Sequence, residues 1–375
     1  MDDEERLASL RLHLATGIGP RLFGALLEQF GSARAAAEAG TGAIAQVRGI
    51  GEASAAKIRE AIDCADPQTE LEKARAEGVA ILVRGEPDYP IALKYLADAP
   101  PILYVKGTIL PEDAQAICIV GTRKCSLYGQ DQAQRLAGGL TRAGFTVVSG
   151  LARGIDSAAH QAALAAGGRT IAVLGNGLAQ VYPPENRRLA DAVVERGALA
   201  SEFPMTTAPA AENFPRRNRI LAALAMGVVV IEAGRRSGAL ITARLAAELG
   251  KEVFAVPNRV DAPGAAGVHA LIRDGAKLIE SVADVLEEFP DLGIQVPDDE
   301  DTEHQAAVNL KANLSAEEAR LIEVLDGDPL PLDALAARAG LSAARVSGAM
   351  TLLELKGLVR VLPGGQFARR QPRGG

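Results

Sequence analysis

The chain contains no tryptophan, and its aromatic content is only 3%, so a broad aromatic platform for stacking nucleobases is not expected. Its three cysteines, Cys64, Cys118 and Cys125, are odd in number and never fall in C-x-x-C spacing, which speaks against a disulfide framework and against a thiolate zinc site. Such usage fits a reducing, cytoplasmic compartment. The longest apolar run without a charge, at 220–231, has 12 residues and includes a glycine, short of the ~18 that a membrane span needs. No membrane association is expected. The first residues, MDDEERL, are acidic where a signal peptide is basic and then apolar, so nothing marks export. His13, His160, His269 and His304 lie without metal-ligand spacing, and no Ser–His or Cys–His pair stands out. Neither a metal, a cofactor nor a catalytic constellation is expected.

What the chain does have is a large apolar fraction, 48% of 375 residues, enough for two or three domains and a sizeable core. A net charge of −7 would by itself oppose a polyanionic partner. The average hides an asymmetry: residues 116–260 hold 17 Lys plus Arg against 10 Asp plus Glu, a balance of +7, which leaves −14 for the remainder. A basic middle between acidic flanks would hold a polyanion mainly through its phosphates.

Residues 7–65 read as alanine-rich amphipathic helices broken by two similar turns, Thr16-Gly17-Ile18-Gly19 and Arg48-Gly49-Ile50-Gly51. Such turns free backbone N–H groups where a phosphate could sit, although their commoner use is to pack two helices as a tight hairpin. Residues 79–107 begin with a β-like run and then carry Pro87, Pro90, Pro100 and Pro101, an extended lead-in to a short strand at 102–105. Apolar runs then recur at 116–120, 145–148, 170–174, 198–200, 228–231 and 253–256, separated by helical segments at 130–143, 156–166, 186–196, 216–226 and 239–249. This alternation predicts an α/β, Rossmann-like domain with a doubly wound parallel sheet. The segment DLGIQVPDDEDTEHQ carries six acidic residues and reads as a solvated linker. Helical patterns at 315–325, 332–339 and 342–356, followed by a strand–turn–strand, spell a winged helix. The expected boundaries are a helical domain at 1–78, the Rossmann-like domain at 79–290, the linker at 291–312 and the winged helix at 313–370.

In an open parallel sheet, ligands bind beyond the carboxyl ends of the strands. Those ends read Gly121-Thr122-Arg123, Ser149-Gly150-Leu151-Ala152-Arg153-Gly154, Gly175-Asn176-Gly177, Ser201-Glu202 and Glu232-Ala233-Gly234-Arg235-Arg236-Ser237-Gly238. Glycines let backbone amides approach an anion, and Thr122, Ser149 and Ser237 could donate hydroxyls to phosphate oxygens. Arg216, Arg217 and Arg219 follow Asn213-Phe214-Pro215 at an expected helix start. At least one of them is expected to pair with Glu202, Glu212 or Glu232 instead of a ligand. Asp156 is expected to cap the helix after Gly154, and His160 to be a packed residue. After the first Rossmann strand there is no G-x-G-x-x-G fingerprint, and no Walker lysine motif occurs anywhere.

The stretches PDYPIALKYLADAPPILYVKG, GTRKCSLYG, SGLARGIDSAAH, GNGLAQVYPPEN, SEFP, FPRRNRILAAL, EAGRRSGALITA and EVFAVP, in this order over residues 79–289, resemble the core of the DNA-processing protein A (DprA/Smf) family. The flanking domains resemble its accessory domains, the first being SAM- or helix-hairpin-helix-like. The resemblance implies an extended Rossmann-like fold and a non-catalytic protein of natural transformation and recombination. Such a protein binds and protects incoming single-stranded DNA, loads the RecA recombinase onto it and forms a homodimer through the Rossmann domain. The implied pocket includes Gly121, Thr122, Arg123, Ser149, Gly150, Arg153, Gly154, Arg216, Arg217 and Arg219; the expected DNA-binding set adds Gly175, Asn176, Gly177, Arg187, Asn218, Ser237 and Gly238, and the apolar segment 268–279, including Leu271 and Ile272, is the candidate dimer surface. Two positions depart from the family pattern: Asn258 after Pro257, where glycine is usual, and His269, where asparagine is usual. The main alternative, a Rossmann-like nucleotide hydrolase, would need an acid near a P-G-G-x-G-T-x-x-E loop, and SGALITA has no carboxylate there. A sequence-specific regulator is a third class, but the segment SAARVSGAMTLLELKG offers only Arg345 and Lys356 as cations.

Overall fold

The computed structural model describes residues 1–293, 314–325, 329–355 and 358–369. The chain divides into two compact units, residues 1–295 and 296–375. Most of the expected acidic linker lies outside the described residues.

In the first unit, helices α1 (Asp3–Leu14), α2 (Pro20–Phe30), α3 (Ala33–Glu38), α4 (Thr41–Ile44) and α5 (Glu52–Cys64) enclose a core of their own around Leu12, Leu26, Ile44 and Ile62. The two glycine turns do join helices, with Gly17 and Gly49 at positive φ. These helices are not loosely tethered. Leu10 of α1 is buried with Val79, Ile81 and Tyr104, and the Arg6 guanidinium donates to the Ile81 carbonyl at 3.2 Å and pairs with Glu86 at 3.1 Å. Helix α6 (Pro67–Ala76) contributes Glu70, whose carboxylate accepts the Met205 N–H at 2.7 Å.

The sheet behind them has nine strands: β1 (Val79–Val83), β2 (Ile102–Gly107), β3 (Ala116–Val120), β4 (Thr146–Ser149), β5 (Thr170–Val173), β6 (Ala198–Ser201), β7 (Gly227–Val230), β8 (Glu252–Ala255) and β9 (Lys277–Leu278). Their order is β1-β2-β6-β5-β4-β3-β7-β8-β9. From β6 to β9 every pairing is parallel, as the alternation predicts, and the proline-rich lead-in adds β1 and β2 as antiparallel strands beside β6. All five residues of β3, AICIV, are buried, the continuous apolar run that a strand covered on both faces requires. Alternate residues serve opposite faces. Ala116, Cys118 and Val120 pack with α11 (Asn213–Leu224) and α12 (Gly238–Glu248), whereas Ile117 and Ile119 pack with α8 (Leu127–Arg142) and α9 (Ile155–Ala165). Strand order reverses beside β3, so the topological switch point lies between β3 and β7.

Among its described residues the second unit has three helices, at Ala316–Val324, Leu332–Ala339 and Ala343–Leu355, and a three-stranded sheet whose strands at Val359–Leu362 and Gln366–Arg369 form the wing. Leu321, Leu335, Val346 and Met350 fill its core. Arg345 pairs with Glu317, so one of the two cations of the expected recognition segment is occupied within its own domain; Lys356 lies outside the described residues. Among the described residues, no helix is long and apolar enough to cross a membrane, and no three His, Cys, Asp or Glu side chains group as metal ligands would.

Candidate nucleic-acid interface

The loops after β3 and β4 are packed directly on each other. The Ile155 N–H donates to the Thr122 carbonyl at 3.3 Å, and a Cβ on Gly154, which has φ +76°, would run into the Thr122 and Arg123 backbone. At Gly121 an added Cβ would come within 2.5 Å of the Ile155 side chain. Glycine is needed at both positions for the loops to meet, a packing role before any ligand role. Leu151 sits between them at φ 55°, held in this costly left-handed conformation by full burial of its side chain. Asp156 does not cap its helix. Gly154 is the N-cap without a side-chain bond, and the Asp156 carboxylate reaches back to the N–H groups of Gly150 at 3.1 Å and Ala152 at 3.4 Å, pinning the loop. Burial pushes that carboxyl up, and the charge on Arg217 is the largest influence pulling it back.

The arginines of α11 separate by helical face. Arg217 is only 5% exposed: its guanidinium donates to the Val173 carbonyl and lies against Gly150, where a methyl group would overlap it. Arg219 is 8% exposed and pairs with Glu202, with Asp98 at 3.6 Å. The expected pairing with Glu202 therefore holds, and neither residue lies open on the rim. Arg216 is exposed, has no ion pair among the described residues, and lies 5.2 Å from the centre of the Phe203 ring. Arg123 is likewise exposed and without an ion pair among the described residues, 5.0 Å from the centre of the Phe214 ring. Each ring offers its negative face to the guanidinium and holds it without neutralising its charge.

Other expected contacts are redirected. Ser149 is fully buried and donates its hydroxyl to the Ile119 carbonyl at 2.6 Å, so it presents nothing to the rim. Asn176 is buried, bonding the Gly177 and Gln180 carbonyls, while Gly175 and Gly177 have Phe214 and the Pro204–Met205 backbone where side chains would be. Ser237 caps α12 through the Ala239 N–H at 3.3 Å, and Asn218 donates to the Gly238 carbonyl at 3.2 Å. Arg153 is exposed but paired with Glu185. Gly238 and Arg187 are exposed, and Arg187, Arg188, Arg235 and Arg236 carry no ion pair among the described residues. Three of the sparse aromatics, Tyr182, Phe203 and Phe214, lie here. Tyr182 and Phe214 rings lie 5.9 Å apart and, with Arg123, Pro215 and Asn218, line a cleft of about 410 Å³. Composition could not reveal this cluster; only the fold joins positions 123, 182 and 214.

At the switch point stands a carboxylate. Glu232 is 2% exposed, accepts the Ser126 N–H at 2.9 Å and its hydroxyl, and takes the Asn258 amide at 3.1 Å. Its carboxylate lies against Ser126 and Gly129 at the start of α8, where a side chain on Gly129 would run into it. Asn258, a departure from the family pattern, thus supports Glu232, and His269 bonds the Asn258 carbonyl at 2.9 Å.

His160 is a packed residue as expected: fully buried, bonded to Thr170 at 2.7 Å, and lowered by burial to about 3. Below the ordinary histidine range the unfolded chain takes up a proton that the folded chain refuses, so stability falls as pH drops from about 6.5 towards 3. From pH 7 to pH 5, His160 is expected to account for about 2 kcal/mol of that fall. Urea unfolding of His160→Leu should show a correspondingly shallower pH slope, and an unchanged slope would contradict the buried neutral ring.

Three family models match in sequence order: a DprA-like N-terminal helix-hairpin-helix domain over 3–61, DNA recombination-mediator protein A over 80–290, and a DprA winged helix domain over 305–365. The central match alone covers more than half of the chain. The chain belongs to the DNA-processing protein A (DprA/Smf) family. Protein Smf of Synechocystis is 33% identical over 99% of this chain and 100% of its own length. The X-ray structure of DprA from Streptococcus pneumoniae superposes with a TM-score of 0.66 and 35% identity, over 76% of this chain and 98% of that one. DprA from Helicobacter pylori, described for its unique single-stranded DNA binding mode, gives 0.52 and 28%, over 57% of this chain and 96% of that one. Like the pneumococcal protein, this DprA-family chain carries the α/β core described above.

Proposed function

We propose that this chain is a non-catalytic recombination mediator that binds single-stranded DNA across the carboxyl edge of its sheet. Arg123 carries the reading: an exposed, unpaired guanidinium stands on an aromatic ring at the rim of an open cleft. A phosphate can take the guanidinium's free donors, and a base can stack beside Tyr182. Duplex DNA, whose bases are already stacked inward, cannot use the rings. Gel-shift titration with oligo-dT, its duplex and free nucleotides tests the reading; single-strand binding should prevail, and equal affinity for duplex would overturn it. Tyr182→Ala is expected to weaken binding by ~1–3 kcal/mol while leaving the salt slope unchanged, because stacking releases no counterions. A slope that fell with the affinity would show that the ring acts only by holding a cation in place.

The family resemblance supports the further steps: protecting incoming strands in the cytoplasm during transformation and delivering them to RecA. RecA filament formation on oligonucleotides covered by single-strand-binding protein should be faster with this chain present; no acceleration would remove the step. A homodimer through the Rossmann domain belongs to the same reading. Val268 and Ile279 are fully buried and Leu271 and Ile272 half-buried against the core, so the surface left for a partner narrows to Arg273, Asp274 and Gly275 with the outer edge of β9 and Leu278, 45% exposed. Sedimentation as a monomer at micromolar concentration would exclude it.

A further inference from the structure

The chains leaving β3 and β7 part at the switch point, one into α8 on one face of the sheet and the other into α12 on the opposite face. Arg123 rides on the first of them, in the loop 121–126. Its contact with the Phe214 ring cannot by itself fix a long side chain whose backbone is free to shift. That backbone is tied at both flanks to one residue of the second chain. The Thr122 N–H donates to the main-chain carbonyl of Glu232 at 2.8 Å, and the Ser126 N–H donates to Glu232 Oε2 at 2.9 Å. The Ser126 hydroxyl donates to Glu232 Oε1, which turns its lone pair towards the Gly129 N–H, accepted at 3.0 Å as the N-cap bond of α8. From the loop after β8, the Asn258 amide donates to the same Oε1 at 3.1 Å. The backbone leaves room for this arrangement: an added Cβ on Gly264 would lie 3.0 Å from the Glu232 Cβ, and one on Gly129 would run into the carboxylate. Between the two tied flanks, Arg123 and Lys124 are exposed.

We infer that Glu232 is a positioning residue for single-stranded DNA binding, acting through Arg123; this rests on the single-strand reading above. Only 2% exposed, the carboxylate does not itself meet the DNA. It clamps the loops after β3, β7 and β8 on one pair of oxygens, so the Arg123 backbone is already in place when a phosphate arrives and little ordering remains to be done on binding. The rival role for a carboxylate beside a polyanion site is repulsion of phosphate. The two roles have opposite signs, because a neutral residue of the same shape would loosen the clamp in the first case and relieve the repulsion in the second.

The test is a double-mutant cycle on the full chain with oligo-dT as probe: Glu232→Gln, Arg123→Ala and the two together. Glutamine keeps the shape and one acceptor oxygen but sets an amide NH2 against a donor that the carboxylate accepts. In the parent, Glu232→Gln should weaken binding about 5- to 20-fold and flatten the salt slope by up to ~0.7; in the Arg123→Ala background it should change neither. Equal losses in both backgrounds would make Glu232 a general structural residue and overturn the inference. Parent-like or tighter binding by Glu232→Gln would overturn it too. Ser126→Ala, which removes one of the carboxylate's contacts, is the second variant and decides the matter if Glu232→Gln does not fold: a loss of about 2- to 5-fold should again vanish without Arg123, and a loss that persists would overturn the inference. If Arg123→Ala bound like the parent, or the parent did not bind oligo-dT, the single-strand reading itself would fail, and this inference with it.

Discussion

Arg217→Ala is expected to destabilise the first unit by about 3–5 kcal/mol, because removing one member of a buried charge arrangement leaves the other uncompensated. The side chain is enclosed, donates to the Val173 carbonyl beneath Gly150, and supplies the charge that most offsets the upward push of burial on the Asp156 carboxyl. Without it, the carboxyl that pins the β4 loop loses its main counter-charge. The β4 loop should then loosen against the Thr122-Arg123 loop, so DNA affinity should also fall, but as a consequence of folding. Arg217→Met, which keeps much of the volume without the charge, separates packing from electrostatics. Urea unfolding and the salt slope should be read on the same variants. Parent stability together with a slope reduced by about 0.7 would instead make Arg217 a phosphate contact.

Arg123→Ala should behave in the opposite way. The side chain is exposed, bonds no carboxylate and touches the Phe214 ring, so its loss should barely move the unfolding curve. Single-stranded DNA binding should weaken by ~1.5–3 kcal/mol, the range for a charge-assisted bond, and the salt slope should flatten by ~0.7 for one phosphate. A drop in stability with an unchanged slope would mean that Arg123 is a structural residue and that the cleft lies elsewhere. The two arginines lie at one edge of one sheet, but Arg217 is enclosed and bonded to the Val173 carbonyl whereas Arg123 is exposed on the Phe214 ring, so opposite outcomes are expected.

The alternation of apolar runs with helical segments was legible from residue 116 to 256 because strands covered on both faces must be apolar throughout, and strand ends are marked by glycine. The two-residue strand β9 was not, since two positions carry no periodicity. Nor was the antiparallel pairing of β2 with β6, a long-range contact across a proline-rich stretch with no local trace. Within FPRRNRILAAL the division of the arginines was not legible. Arg217 is three, four and seven residues before Ile220, Leu221 and Leu224, but Arg216 is four and eight before Ile220 and Leu224, a spacing that fits the buried face as well. The two-ring cluster at Tyr182 and Phe214 and the carboxylate plug at Glu232 depend on tertiary neighbours, and no motif announces them.

Single-strand recognition through phosphates at the sheet edge is tested most directly by titrating the intact chain against fluorescent oligo-dT and the matching duplex over a range of salt. Single-stranded binding should be the tighter at every salt concentration, and log affinity should fall against log salt with a slope of at least about −1.4, the value for two phosphate contacts. Duplex binding as tight as single-strand binding, or an affinity indifferent to salt, would contradict it.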